Sequence, residues 1–406
     1  MSRTSDLAWR LHRRLGVVPQ AFFLLGADLQ GDLAAALAAV AGGQGNRLLR
    51  RWRRICAEVA SFSAPSGAAL RRELGRRFAT FEAVRRTAAE LESAAELGDL
   101  AGWIDRLEAR GLSLSPWRLE GLGFEIVRRR LRGGATRDLL PHPWPDHAGP
   151  MLHAGLGHAV ATHLLDSLPG TVTVVDLEAL FDLFETTVAA SSAEAWQDIA
   201  LEALGLQLYF FYRGLFALAD EALRRRRDPQ LHRLSWHGVG RAIYFLPVQQ
   251  IPGGSSLRRA IERLEKLTPA GASCDCGIAG IAYAFTLVNL EDSELFEVVI
   301  GQHRELLTSR PFGAGVAAAL HLHPQLLPRS SAAAQLAAHV PQDPAVAAAY
   351  ADLVSRGWQQ GCARSPAVSQ LYRSLRLPPP AIHEPPSRSA SELSHQRPYG
   401  EKVSPT

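Results

Sequence analysis

Apolar stretches of helical length alternate with short breaks along most of this chain, and six of them are entered through a small–apolar–small step. The step reads Gly121-Leu122-Gly123, Gly155-Leu156-Gly157, Ala203-Leu204-Gly205 and Gly238-Val239-Gly240. Looser copies stand at Gly277-Ile278-Ala279-Gly280 and Gly313-Ala314-Gly315. The first small residues fall at 121, 155, 203, 238, 277 and 313, so the successive steps are 34, 48, 35, 39 and 36 residues. That is the period of a two-helix repeat. One such unit cannot bury its apolar face alone, so neighbours must stack. Glycine costs a helix interior about 1 kcal/mol relative to alanine, and its return at fixed places points to helix backbones in close approach. The long step predicts an insertion from about Thr171 to Ala190. The expected fold is all-α: about six two-helix repeats forming an α-solenoid or a closed α/α toroid, with the Gly-x-Gly helices on the close-packed side.

Local signals divide the chain further. Residues 1–86 are expected to be an N-terminal helical region, 87–375 the helical-repeat domain and 376–406 a disordered tail. The tail follows from its Pro, Ser and charge, with Leu377-Pro378-Pro379-Pro380 opening it. Gly98-Asp99 reads as a helix stop and restart. Ser115 reads as a cap, with Pro116 at the first helical position. Pro141 to Pro145 is a rigid turn, and Pro169-Gly170 closes the helix before it. Thr171 to Val175 is the only convincing strand-like run, too short to make a sheet.

Composition narrows the function classes. An apolar content of 47% is ample for a core, and a net charge of +4 is modest for 406 residues. Arginine runs at Arg50 to Arg54, Arg128 to Arg130 and Arg224 to Arg227 have the look of a nucleic-acid footprint. The latter two end apolar helical stretches, where cations suit the helix C-terminal dipole, and no nucleic-acid partner is expected. Cys56, Cys274, Cys276 and Cys362 form no paired framework and no C-x-x-C, so a reduced cytoplasm is the expected location. No secretory leader pattern opens the chain. No apolar run reaches the ~18 residues of a membrane span; Leu204 to Leu218 is broken by Gln207, Arg213 and Gly214. An integral membrane protein is not expected.

Candidate chemistry is scattered. His142, His147, His153, His158 and His163 cluster, but the helical ones are five apart and H-E-x-x-H is absent, so no metal site is assigned. Cys274-Asp275-Cys276 precedes an apolar helix, where a thiol is activated at a helix N-terminus or simply fills the core. The aromatics Tyr209 to Tyr212, Trp236, Tyr244, Phe245, Tyr283 and Phe285 suit either a cavity for a large apolar ligand or packing between repeats. Arg213 and Arg241 sit inside apolar stretches, and a buried arginine needs an acid: Asp220, Asp275 or Glu202, or a ligand anion in their place. His153, Arg241 and Asp275 are therefore catalytic candidates, expected to approach a common centre. Arg213, Trp236, Tyr244 and Tyr212 are ligand-binding candidates. No nucleophile elbow, phosphate loop or dinucleotide fingerprint is present, and the cofactor is unknown.

The pieces Trp117 to Phe124, His147 to Gly157, Leu201 to Gly205 and Gly238 to Phe245 resemble, in pattern and order, a bacterial domain-of-unknown-function family found in enediyne and other specialised-metabolite gene clusters. The likeness runs from about Thr87 to about Pro328. It departs at Glu202, where the family has Asp; at Gln207, where it has His; and at Trp236-His237, where it has Asp-Gln. The resemblance implies a biosynthetic neighbourhood rather than a defined reaction. Ser273 to Ala282 is also similar to the Cys-Gly turn of lanthipeptide cyclases, which are helical toroids. Their zinc needs a Cys-His pair that this chain lacks. Three functions follow as expectations: an enzyme or accessory protein of specialised metabolism handling a bulky apolar intermediate, a helical-repeat scaffold for a biosynthetic protein partner, and a zinc-dependent toroid cyclase.

Overall fold

The structure is a computed structural model that describes residues 65–93, 99–141, 143–245, 256–268, 271–303 and 309–358. The expected tail, the first arginine run, Cys56, Cys362 and His142 lie outside the described residues. Fourteen α-helices and no strand occur among them. Seven helices form an inner row: α1 (Pro65–Ser93), α3 (Ser115–Arg132), α4 (Gly149–Asp166), α6 (Gln197–Phe211), α8 (Gln230–Phe245), α10 (Ala272–Asn289) and α12 (Arg310–Leu326). Each packs chiefly on the one before and the one after. An outer layer holds α2 (Leu100–Glu108), α5 (Val174–Ser191), α7 (Phe216–Arg225), α9 (Ser256–Leu267) and α11 (Ser293–Gln302). Helices α13 (Ala332–Ala338) and α14 (Pro344–Tyr350) follow, the last running into one π-turn at Ala351–Ser355.

The Gly-x-Gly step acquires a geometric reason here. Two residues along an α-helix is a rotation of about 200°, so the two small residues face opposite sides. An inner helix has a neighbour on each side. On α3, a Cβ added at Gly121 would lie 2.3 Å from the Val84 carbonyl of α1, and one at Gly123 would lie 2.3 Å from that of Leu152 on α4. On α4, Gly155 meets the Glu120 carbonyl of α3 at 2.2 Å and Gly157 the Ala200 carbonyl of α6 at 2.0 Å. Only glycine fits these crossings. The looser copies fit the same plan: α10 meets α8 at Gly280 and offers Ala279 and Ala282 to Gly315 of α12. Gly313 has only Leu353 near it among the described residues, at 3.9 Å.

The inner helices are consequently buried almost all round. On α4 every residue from Gly149 to Ala161 is buried, including two histidines. Outer helices show a single buried stripe, as in α5, where Leu177, Leu180, Phe181, Phe184 and Val188 point inward. That helix corrects two expectations. The segment from Thr171 to Ala190 is the outer helix of its repeat rather than an insertion; it is the α3–α4 connection that lacks one. The strand-like Thr171 to Val175 starts α5 instead. Thr173 accepts from the Asp176 amide while the Asp176 carboxylate accepts from the Thr173 amide, a reciprocal cap that outweighs the β-branched run. Ser115 is the first residue of α3 rather than its cap, whereas Asp99 caps α2 through the Ala101 and Gly102 amides.

Helix α1 does more than begin the row. It runs unbroken through the boundary expected at residues 86 and 87. Its Val84 turn packs on α3, while Phe81 meets Phe210 of α6 and Phe245 of α8. Arg76 reaches Asn289 at the end of α10, and Arg72 pairs with Asp292, the cap of α11. It therefore crosses one side of the inner row.

Candidate functional site

Between α1 and the inner helices lies a cavity of about 360 Å³. The inner row lines it in register: Phe124, His158, Leu206 and Arg241 each follow the glycine that ends their helix's small–apolar–small step by one residue, and all four face it. The glycine brings its neighbour's backbone close, and the next side chain, 100° further round, points to the side that α1 crosses. The wall is aromatic, built from Phe81, Trp117, Phe124, Phe210, Phe211 and Phe245. Phe245 is gripped edge-on by Trp117, with ring centroids 5.9 Å apart.

At the mouth, where Ala89 and Glu92 are exposed, the charges are paired among themselves. Arg128 binds Glu92 at 2.8 Å and Glu125 at 2.7 Å; Arg85 binds Glu82 at 2.6 Å. The Arg128 hydrogen bond holds the Glu92 carboxyl below its ordinary range, and the Arg85 bond brings Glu82 to about 2.

The floor is polar and buried. His158 Nε2 lies 3.0 Å from Glu120 Oε1. On the other edge of the ring, Gln207 Nε2 lies 2.9 Å from His158 Nδ1. Three consecutive inner helices thus join in a line, Glu120–His158–Gln207, with all three residues 7% exposed. Two acceptors in this line, Glu120 Oε2 and Gln207 Oε1, are buried without a hydrogen-bond partner. Beside them Arg241 Nη1 donates to Glu202 Oε2 at 3.0 Å, and His237 Nδ1 is 2.7 Å from Glu202 Oε1. Glu202 is therefore the acid that Arg241 requires.

The other candidates fall elsewhere. Only Arg241 lines the cavity; His153 and Asp275 do not, so the expected common centre is not among its walls. His153 is buried, its Nδ1 2.7 Å from the Gly149 carbonyl and its ring packed on Trp144 and Trp196. Asp275 is half-buried in the first turn of α10, and burial raises its pKa. Tyr244 donates to Glu73 and accepts from Asn289 beneath the Arg77 guanidinium, 3.6 Å from its ring centre. Tyr212 donates to Asp166, Trp236 to Asp220, and Arg213 Nε to the Tyr209 carbonyl. These four side chains serve the packing between repeats. Cys274 and Cys276 are buried; burial raises both thiols, Cys276 to about 12, so neither is activated.

Among the described residues no three His, Cys, Asp or Glu side chains are grouped as a metal ion would need. The cavity lining contains one hydroxyl, that of Thr80, and no thiol. The lining side chains offer groups for binding and proton transfer. Glu120, His158 and Gln207 were not among the site candidates, although His158 shows the signal that singled out Arg241: a polar side chain directly after the second glycine of an apolar helix. No helix among the described residues is long and apolar enough to cross a membrane. Comparison with protein-family models, curated proteins and solved structures returned no match.

Proposed function

We propose that the protein takes up a bulky, largely apolar small molecule in the cavity between α1 and the inner row. The setting we propose is specialised-metabolite biosynthesis, with the protein as an enzyme or accessory protein. One observation carries the binding reading: an aromatic chamber of about 360 Å³ with a convergent polar floor, the usual form of a small-molecule site. The scaffold alternative loses support because α1 occupies one side of the row and contacts α3, α6, α8, α10 and α11 in turn. The cyclase alternative loses support because Cys274 and Cys276 are inert core thiols. Arg128 and Arg129 near the end of α3, and Arg224 and Arg225 at the end of α7, are engaged with Glu92, Glu125, Asp220 and Glu221, which speaks against a nucleic-acid face. The resemblance to the enediyne-cluster family supplies the biosynthetic context, and neighbouring polyketide-synthase genes are the expected companion.

Calorimetric titration with bicyclic aromatic compounds tests the binding reading. The wild type should bind them. Ala88→Trp, which fills the mouth from a half-buried position on α1, should abolish binding while leaving the melting temperature close to wild type. Equal binding by the variant would place the ligand elsewhere.

A further inference from the structure

We infer that the ligand of this cavity carries a protonated amine, held by Glu120 and Gln207 at the floor with its apolar body against the aromatic wall. The inference rests on the cavity reading above and names the ligand class that the floor selects. Three observations lead to it. First, two buried acceptors at the floor, Glu120 Oε2 and Gln207 Oε1, have no hydrogen-bond partner. Buried acceptors are normally satisfied, so a ligand placed there should bring donors. An ammonium offers up to three, enough for both atoms. A neutral hydroxyl offers one and leaves an acceptor stranded. A carboxylate offers none and sets like charge against Glu120.

Second, Glu120 is the cavity carboxylate without a guanidinium. Glu92 and Glu125 have Arg128, and Glu202 behind the wall has Arg241. Glu120 has only His158. In the hydrogen-bond arrangement described, the Gln207 amide donates to His158 Nδ1, so the ring proton sits on Nε2 and is donated to Glu120 Oε1. The buried carboxylate thus has no guanidinium or ammonium beside it. Third, the wall suits a cation. Phe81, Trp117, Phe124, Phe210, Phe211 and Phe245 offer ring faces and edges, and aromatic faces attract ammonium groups, most strongly when water is excluded. Both ring nitrogens of His158 are engaged, so it acts as a positioning residue that fixes Glu120 and Gln207.

The test is a matched series titrated calorimetrically into the full chain: 2-(1-naphthyl)ethylamine, 2-(1-naphthyl)ethanol and 1-naphthylacetate. The amine should bind at least about tenfold tighter than the alcohol, as a charge-assisted hydrogen bond provides, and the acetate most weakly. Glu120→Gln should bring the amine within about twofold of the alcohol. Gln207→Leu should weaken the amine more than the alcohol, which keeps the proposal testable if the first variant does not fold. Equal affinity for amine and alcohol in the wild type would overturn the amine proposal and leave the cavity reading standing. Tightest binding by the acetate would overturn it too and make Arg241 the anchor. Binding of none of the three would remove both.

Discussion

Two buried polar clusters lie under α1, one around Tyr244 and one around His158, and they are built on opposite principles. Around Tyr244, the ring lies beneath Arg77, Glu73 accepts from both Arg77 and the tyrosine hydroxyl, and Asn289 donates to that hydroxyl and to the Phe285 carbonyl. Burial raises the Tyr244 pKa. Around His158, the line from Glu120 to Gln207 leaves two acceptors open and fronts a cavity. Both clusters contain a carboxylate at least nine-tenths buried, so burial alone does not mark a site. The difference lies in the cation: Glu73 has Arg77 at 2.6 Å, whereas Glu120 has an imidazole. A polar cluster closed on itself holds helices together. One left short of donors is completed by something else.

The largest effects should come from opening a closed pair. Arg77→Ala removes the guanidinium beside Glu73, and Arg241→Ala the one beside Glu202, which is wholly buried. Each should cost about 3–5 kcal/mol in urea denaturation; a loss below 1 kcal/mol would show that these pairs do not hold the row. Next comes the spacing that both clusters depend on. Gly157→Ala would put a Cβ 2.0 Å from the Ala200 carbonyl, so α4 and α6 must separate. A loss of about 3 kcal/mol or more is expected, at the upper end of overpacking, together with loss of ligand binding.

Histidine gives a third contrast. His323 on α12 is buried with Nδ1 unpartnered, and burial lowers its pKa from 6.5 to about 4. Its folded-state pKa is depressed, so the unfolded chain binds the proton first as pH falls. The stability is full above pH 6.5 and is lost between 6.5 and about 4, by up to about 3 kcal/mol. His323→Leu should flatten that part of the stability profile; an unchanged acid limb would assign the loss to other groups. The smallest effect belongs to the open cluster. Glu120→Gln keeps an acceptor for His158 and should change stability by less than about 1 kcal/mol. A loss like that of Arg77→Ala would place Glu120 among the closed pairs.

The architecture was legible because close helix crossings require small residues on opposite sides, and Gly121/Gly123, Gly155/Gly157 and Gly238/Gly240 state that requirement in sequence. The outer helix α5 was not, since Val172, Val174 and Val175 speak for strand locally while Thr173 and Asp176 speak for a helix start, and the cap prevails. Arg241 and its acid Glu202 were legible from the need to neutralise a charge in an apolar helix. The line Glu120–His158–Gln207 was not. Its members lie before, one after and two after the glycines of their helices, and only the crossing geometry of three repeats brings them together. Trp236, Tyr244, Tyr212 and Arg213 do not line this cavity, since large amphipathic side chains between repeats also find polar partners.

The reach of α1 has a consequence in time. Arg72 meets Asp292 across 220 residues of chain, and Phe81 meets Phe245. During synthesis at about 5–20 residues per second, α1 leaves the ribosome on the order of 10–40 s before the last of these partners. The inner helices can stack pair by pair as each repeat emerges, but the chamber wall includes Arg241 and Phe245, so it closes only when α8 is present. The chamber is thus completed from its earliest-made helix and a late one together, and a nascent chain halted before residue 245 holds the seam without the room it encloses.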